Sequence, residues 1–164
     1  MNVASRDEIL RKFAAMKWTY ADKDHEARRL LADRIEQAGG RGDFITYSKL
    51  VEDVVFHLPN INNGDDYRIH TYDWSGLDRR IIGDFLGHIS MESYQAHDFF
   101  ASALVVSAEK SKSAMPSRIF FQWMETLNVI PDLSENSVLR FWTEQTRKAF
   151  DWYANGEKVG QTDD

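Results

Sequence analysis

Phe44-Ile-Thr-Tyr-Ser-Lys-Leu-Val51, Arg79-Arg-Ile-Ile-Gly-Asp-Phe-Leu-Gly-His-Ile-Ser90 and Ala101-Ser-Ala-Leu-Val-Val-Ser107 are the three runs on which the fold turns. In the first, Thr46 stands where an N-cap belongs. Ile45 before it and Leu50 after it have the spacing of a hydrophobic staple. In the second, Leu77, Ile81, Ile82, Phe85, Leu86 and Ile89 recur at helical spacing behind Ser75, while Asp78, Arg79 and Asp84 take the other side. The third is β-branched at its centre and predicts a strand over Phe99–Ser107 buried on both faces.

Working outward, Ser5-Arg-Asp-Glu8 has the form of a capping box and opens a helix carrying Ile9, Leu10, Phe13 and Ala14 on one face. A second helix covers Asp24 to Gln37 with Ala27, Leu30, Leu31 and Ile35 inside, and Gly39-Gly40 is expected to end it. The helix capped by Thr46 is expected to run through Val54, Val55 and Leu58 to Pro59. Asn60–Asp66 reads as loop, Tyr67–Tyr72 as a short strand and Ala108–Ser117 as loop. Helices at Arg118–Asn128 and from Asn136 or Ser137 onward are expected to bury Ile119, Phe120, Trp123, Phe141, Trp142 and Trp152. The fold class is therefore α+β and mostly helical: six to seven helices around a two- or three-stranded sheet, with a winged-helix-like centre. The division expected is a two-helix N-terminal extension over 1–41, a main globular domain over 42–156 and a flexible tail over 157–164.

Composition excludes much. The chain has 164 residues and no cysteine, so disulfides, thiolate metal sites and thiol nucleophiles are absent. Its start carries acids where a secretion signal needs an apolar run, and no window approaches the length of a membrane span. A cytoplasmic location and no membrane partner are expected. The net charge of −6 is uneven: +2 over 1–41 (9 basic, 7 acidic), −5 over 42–128 (7 and 12) and −3 over 129–164 (4 and 7). An acidic body suits a basic protein partner and opposes broad phosphate binding.

No Gly-x-Ser-x-Gly elbow, Walker loop or dinucleotide fingerprint occurs. Asn60–Asp66 lacks the first acid and the twelfth-position Glu of a calcium loop. The five histidines have no zinc-type spacing, and neither a metal nor a cofactor is expected. His88 and Glu92, four apart, are the pair best spaced for acid–base work, and an enzyme would need His70, His88 and His97 to converge. Basic residues cluster at Arg79-Arg80 and at Lys110 with Lys112. A groove-entering helix would use these on phosphates, with Thr46 and Tyr47 near the backbone. The simpler expectation is that Asp73, Asp78 and Asp84 pair with the arginines locally.

Thr46-Tyr47 and Arg80-Ile-Ile-Gly83, followed by a β-branched run, resemble the winged-helix domain of alkyltransferase-like DNA-repair proteins. Ser102–Val106 stands where that family has its acceptor Cys and His, so the resemblance implies a DNA-binding shape without alkyl transfer. Leu86–Ser90, Ala101–Val106 and Arg118–Phe121 also resemble small uncharacterised bacterial domains with a Leu-Gly-x-Ile-Ser helix and a Leu-Val-Val strand, a resemblance that bears on fold alone. The functional expectation is a non-enzymatic inhibitor, immunity or adaptor-type protein that binds another macromolecule through its folded surface. The alternatives are a winged-helix-like nucleic-acid-binding protein using Thr46, Tyr47, Arg79, Arg80, Lys110 and Lys112, and a small enzyme built on histidine and carboxylates.

Overall fold

A computed structural model describes residues 3–108 and 115–156, and the statements below concern those residues. The elements run α1 (Arg6–Ala14), α2 (His25–Gly40), β1 (Ile45–Thr46), α3 (Tyr47–Val51), α4 (Gly76–His97), β2 (Val105–Val106), α5 (Arg118–Thr126) and α6 (Glu135–Asp151). Short 3-10 turns lie at Asn62–Gly64 and Ala101–Leu104, and a π-helical turn at Trp152–Gly156 follows α6. The mostly helical α+β class expected from the periodicities is what forms. The tail over 157–164 lies outside the described residues.

The axis of the fold is α4, 22 residues long. Its start is a full capping box: the Asp78 N–H donates to Ser75 Oγ and the Ser75 N–H donates to Asp78 Oδ2, both at 3.0 Å. Asp98, left-handed at φ 66°, ends it. The expected stripe Ile81, Ile82, Phe85, Leu86 and Ile89 is buried. Burial also takes in Gly87, His88 and Ser90, because α4 is covered on more than one side. One buried cluster joins α2 (Ala27, Leu31, Ile35) to Leu50, Ile81, Phe85 and Leu104. This cluster takes residues from both sides of the expected boundary between 41 and 42. A second cluster gathers Ile9 and Phe13 of α1 with Tyr94, Phe100, Phe121, Met124 and Phe141.

Several expectations give way. Residues 101–106 are all buried, as the β-branched centre implied, but only Val105–Val106 is strand. Its partner is β1, in parallel, with Ile45 opposite Val105 and Thr46 opposite Val106. Just beyond β2 the Ser107 N–H donates to the Met115 carbonyl at 2.8 Å. The preceding turn takes its hydrogen bonds from side chains instead of a ladder. The N–H groups of Phe100, Ala101 and Ser102 donate to Gln145 Oε1 (2.8 Å), Ser93 Oγ (2.9 Å) and Ser90 Oγ (3.0 Å). The indole N–H of Trp142 donates to the Ala103 carbonyl at 2.8 Å. These side chains satisfy a buried backbone that has no neighbouring strand long enough to serve it.

The helix begun at Thr46 stops at Val51 and not at Leu58, and Asp53 turns left-handed at φ 59°. Beyond it Val54, Phe56 and Leu58 are buried while Val55 and His57 are less so, a period of two that the sequence also permits. Phe56 and Tyr67 exchange N–H···O bonds of 2.8 and 2.9 Å in an isolated bridge, all that forms of the strand expected over Tyr67–Tyr72. Buried Asp24 caps α2 at Ala27 N and also accepts from His57 N at 2.7 Å, which ties the extended segment to that helix.

Gly39 and Gly40 do not end α2; the helix runs through both. A Cβ on Gly39 would collide with the Tyr153 ring, so close approach is what requires glycine there. The last helix begins one residue before the earlier of its two expected starts, capped by Ser134. Ile119 and Trp152, expected inside, are 63% and 39% exposed, and Trp123 and Trp142 are half-buried.

Two glycines of α4 make this packing testable. Nothing lies within 4 Å of a Cβ built on Gly83, whereas one on Gly87 would stand 2.7 Å from Trp18 Cζ3. Gly83→Ala should raise unfolding stability by about 0.5–1 kcal/mol through helix propensity. Gly87→Ala should lower it, overpacking of this kind costing about 1–3 kcal/mol. Urea unfolding of the two variants checks the opposite signs.

Candidate functional site

Three of the residues singled out in the sequence meet in one place. Tyr47 at the start of α3 and Arg79 and Arg80 on α4 line a groove of about 890 Å³ between α4 and α5. Trp18, Thr19 and Tyr20 form one wall, Trp74 stands ahead of α4, and Ile119, Phe120 and Trp123 form the α5 side. Trp18 reaches its position by lying against Gly87, with Trp123 on the same spot. Tyr47 is fixed by its hydroxyl, which accepts from the Ser117 N–H at 2.9 Å and so joins α3 to the start of α5.

The carboxylates flanking the arginines behave unexpectedly. Asp78 is 1% exposed, committed to the capping box, and accepts the Tyr67 hydroxyl at 2.5 Å. Burial, then Asp78, pushes the Tyr67 phenol above its ordinary range. Asp84 Oδ2 accepts the N–H groups of Tyr20 and Ala21, each at 2.8 Å, and fastens the Trp18–Ala21 wall to α4. Asp73 does not line the groove. The expected local ion pairs therefore do not form: among the described residues no carboxylate comes within ion-pair distance of Arg79 or Arg80, both exposed. Arg6 and Arg28, by contrast, pair with Asp98 and with Asp22 and Glu92.

Thr46 does not join this surface as a ligand group, since its hydroxyl accepts from Lys49 N at 3.2 Å as the cap of α3. Lys110 and Lys112 lie outside the described residues. Residues the sequence reading missed are Trp18, Tyr20 and Trp74. Their signal in the sequence was an aromatic residue outside any periodic helix; each packs one side against the core and leaves the rest to the groove.

The His88–Glu92 pair does form, and acquires two partners that sequence spacing cannot show. His88 Nδ1 lies 2.8 Å from Glu92 Oε1, yet too oblique for a hydrogen bond. Its Nε2 faces Asp22 at 3.7 Å and Arg28 at 3.4 Å, and Trp18 packs edge-on at 5.5 Å. Burial first, and then Arg28, depress the His88 pKa, with Glu92 and Asp22 pulling the other way. His88 lines neither this groove nor a second one, of about 1390 Å³, on the far side of Trp18–Tyr20. His70 lines that second groove, while His97 stacks on Trp152 at 3.7 Å. Nine helical residues put His97 about 13 Å along α4 from His88. The three histidines thus do not converge, and no group of three metal-ligating side chains exists among the described residues.

Comparison with protein-family models, with curated proteins and with solved structures finds no match for this chain. The candidate site stands on its geometry.

A depressed histidine pKa means that the unfolded chain binds the proton more readily. Stability from neutral His88 is therefore present above the ordinary value of 6.5 and is lost as pH falls below it, down to the folded-state value. Thermal unfolding followed from pH 7.5 to 5.5 should show declining Tm in the wild type. His88→Gln should flatten that decline. An unchanged slope in the variant would show that His88 does not govern it.

Proposed function

We propose that this chain is a non-enzymatic binding protein that captures part of another protein in the α4–α5 groove. The observation that carries the reading is the composition of that groove: three tryptophans, two tyrosines and two arginines, unpaired among the described residues, on one concave surface. Trp, Tyr and Arg are the residue types in which interface energy concentrates, above all where their rings are half-buried and already oriented. Trp18, Tyr20, Tyr47, Trp74 and Trp123 are each half-buried. Exposed Ile119 adds an apolar contact on the α5 side. An inhibitor, immunity or adaptor role would use such a surface. No described helix is long and apolar enough to cross a membrane.

A second reading draws on the same convergence. Bases of a single strand stack on aromatic side chains, and Tyr47, Arg79 and Arg80 stand together as that use requires. The net charge of −6 opposes it, because backbone affinity comes from many cations.

The two readings separate by measurement. A partner captured from source-cell extract and then purified should bind Trp74→Ala roughly thirtyfold more weakly, the loss of about 2 kcal/mol expected of a hot spot. Leu139→Ala, on the outer face of α6, should bind as the wild type does. An oligothymidylate should show no gel retardation at physiological salt. Retardation that persists there and disappears in Arg80→Ala would replace the first reading with the second.

A further inference from the structure

The α4–α5 groove carries a charge opposite to that of the chain around it. Resting on the protein-binding reading above, we infer that its occupant is an extended acidic peptide segment of the partner. A carboxylate side chain of that segment is held by Arg79 and Arg80, and a neighbouring large apolar side chain lies against Trp18, Trp74 and Trp123.

The charge argument starts in the fold. The carboxylate in the groove lining is Asp84, and its Oδ2 already accepts two backbone N–H groups at 2.8 Å. Asp78, next to Arg79 in sequence, is buried and engaged. Folding thus buries Asp78 and commits Asp84 to backbone amides, which leaves two guanidinium groups against one engaged carboxylate on this face. The planar guanidinium presents N–H donors in a fork that matches a carboxylate, and a charge-assisted pair of this kind is about twice as strong as a neutral hydrogen bond.

The remaining lining is mainly aromatic and apolar, interspersed with the hydroxyl residues Thr19, Ser48, Ser102, Ser107 and Ser117, and it includes Ile119, 63% exposed. A side chain that inserts there gains the burial that Ile119 and the tryptophan faces lack in the free chain. A groove of about 890 Å³ accommodates a few residues of an extended segment. A nucleic-acid strand would need a line of cations along its path, and among the described residues this groove offers two. A single acidic anchor needs no more than two.

The test is a random dodecamer peptide library displayed on phage and panned against the full chain. Enriched peptides should share an Asp or Glu near an aromatic or large aliphatic residue. A synthetic consensus peptide should change the tryptophan fluorescence on binding, since three tryptophans line the groove. The Arg79→Gln/Arg80→Gln double variant should bind it at least tenfold more weakly. Converting the peptide's acid to its amide should cost the wild type the same factor and the double variant almost nothing. Both arginines are exposed, so circular dichroism should show the double variant folded. Should it prove unfolded, the Arg80→Lys variant, which keeps the charge and loses the fork, is expected to bind the peptide at an intermediate level. Peptides without an acid, or peptides that bind the double variant equally well, overturn the acidic occupant. If Trp74→Ala still abolishes their binding, the groove reading survives that result. A library yielding no groove-dependent peptide overturns both.

Discussion

The buried turn from Phe99 to Leu104 constrains everything around it. It lies at the centre of the fold, its residues almost wholly inaccessible, and it is neither long helix nor laddered strand. A backbone in that position has to find partners or forfeit stability for each polar group left bare. It finds them in Ser90 and Ser93 of α4 and in Gln145 and Trp142 of α6. The two long helices are thereby held to one another through a segment that neither contacts by apolar packing alone. Ser90 and Ser102 also share a bond of 2.6 Å, so the polar groups that enter the core there are mutually satisfied.

This centre explains which parts of the fold could be read from sequence. Capped helices were legible because cap and stripe sit close together: Ser5, Asp24, Thr46 and Ser75 all accept from the N–H three residues on. The burial of Leu104, Val105 and Val106 was legible too. The turn over Ala101–Leu104 that precedes the strand was not, because it depends on Gln145, more than forty residues away, reaching Phe100 N. The segment after Val51 was ambiguous in itself, since Val54 and Leu58 fit a period of 3.6 and, with Phe56, also fit a period of two. What decides it is Asp24 accepting His57 N, again a contact far removed in sequence.

The candidate site divides in the same way. Arg79 was expected on the side opposite Ile81, Ile82 and Phe85, and both it and Arg80 are exposed. That Asp78 would be buried and Asp84 engaged by backbone amides could not be foreseen. It rests on Tyr67 approaching Asp78 and on the Tyr20–Ala21 amides approaching Asp84. A count of charges along the chain treats Asp78 and Asp84 as surface groups, whereas the fold uses both as internal acceptors. Local charge on a folded face therefore differs in sign from the charge of the stretch that supplies it.

The fastening of Trp18–Ala21 to α4 bears on the rates of any association at this groove. The wall is set when the chain folds, by two hydrogen bonds from backbone N–H groups to Asp84 and by Trp18 seated on the bare backbone of Gly87. An incoming segment then surrenders its own freedom while the receiving surface has little ordering left to do. Encounter is accordingly limited by orientation and by the long-range field of an acidic chain. Discrimination among arrivals falls to residence time, with ill-fitting segments leaving quickly from a surface that does not remodel itself to keep them.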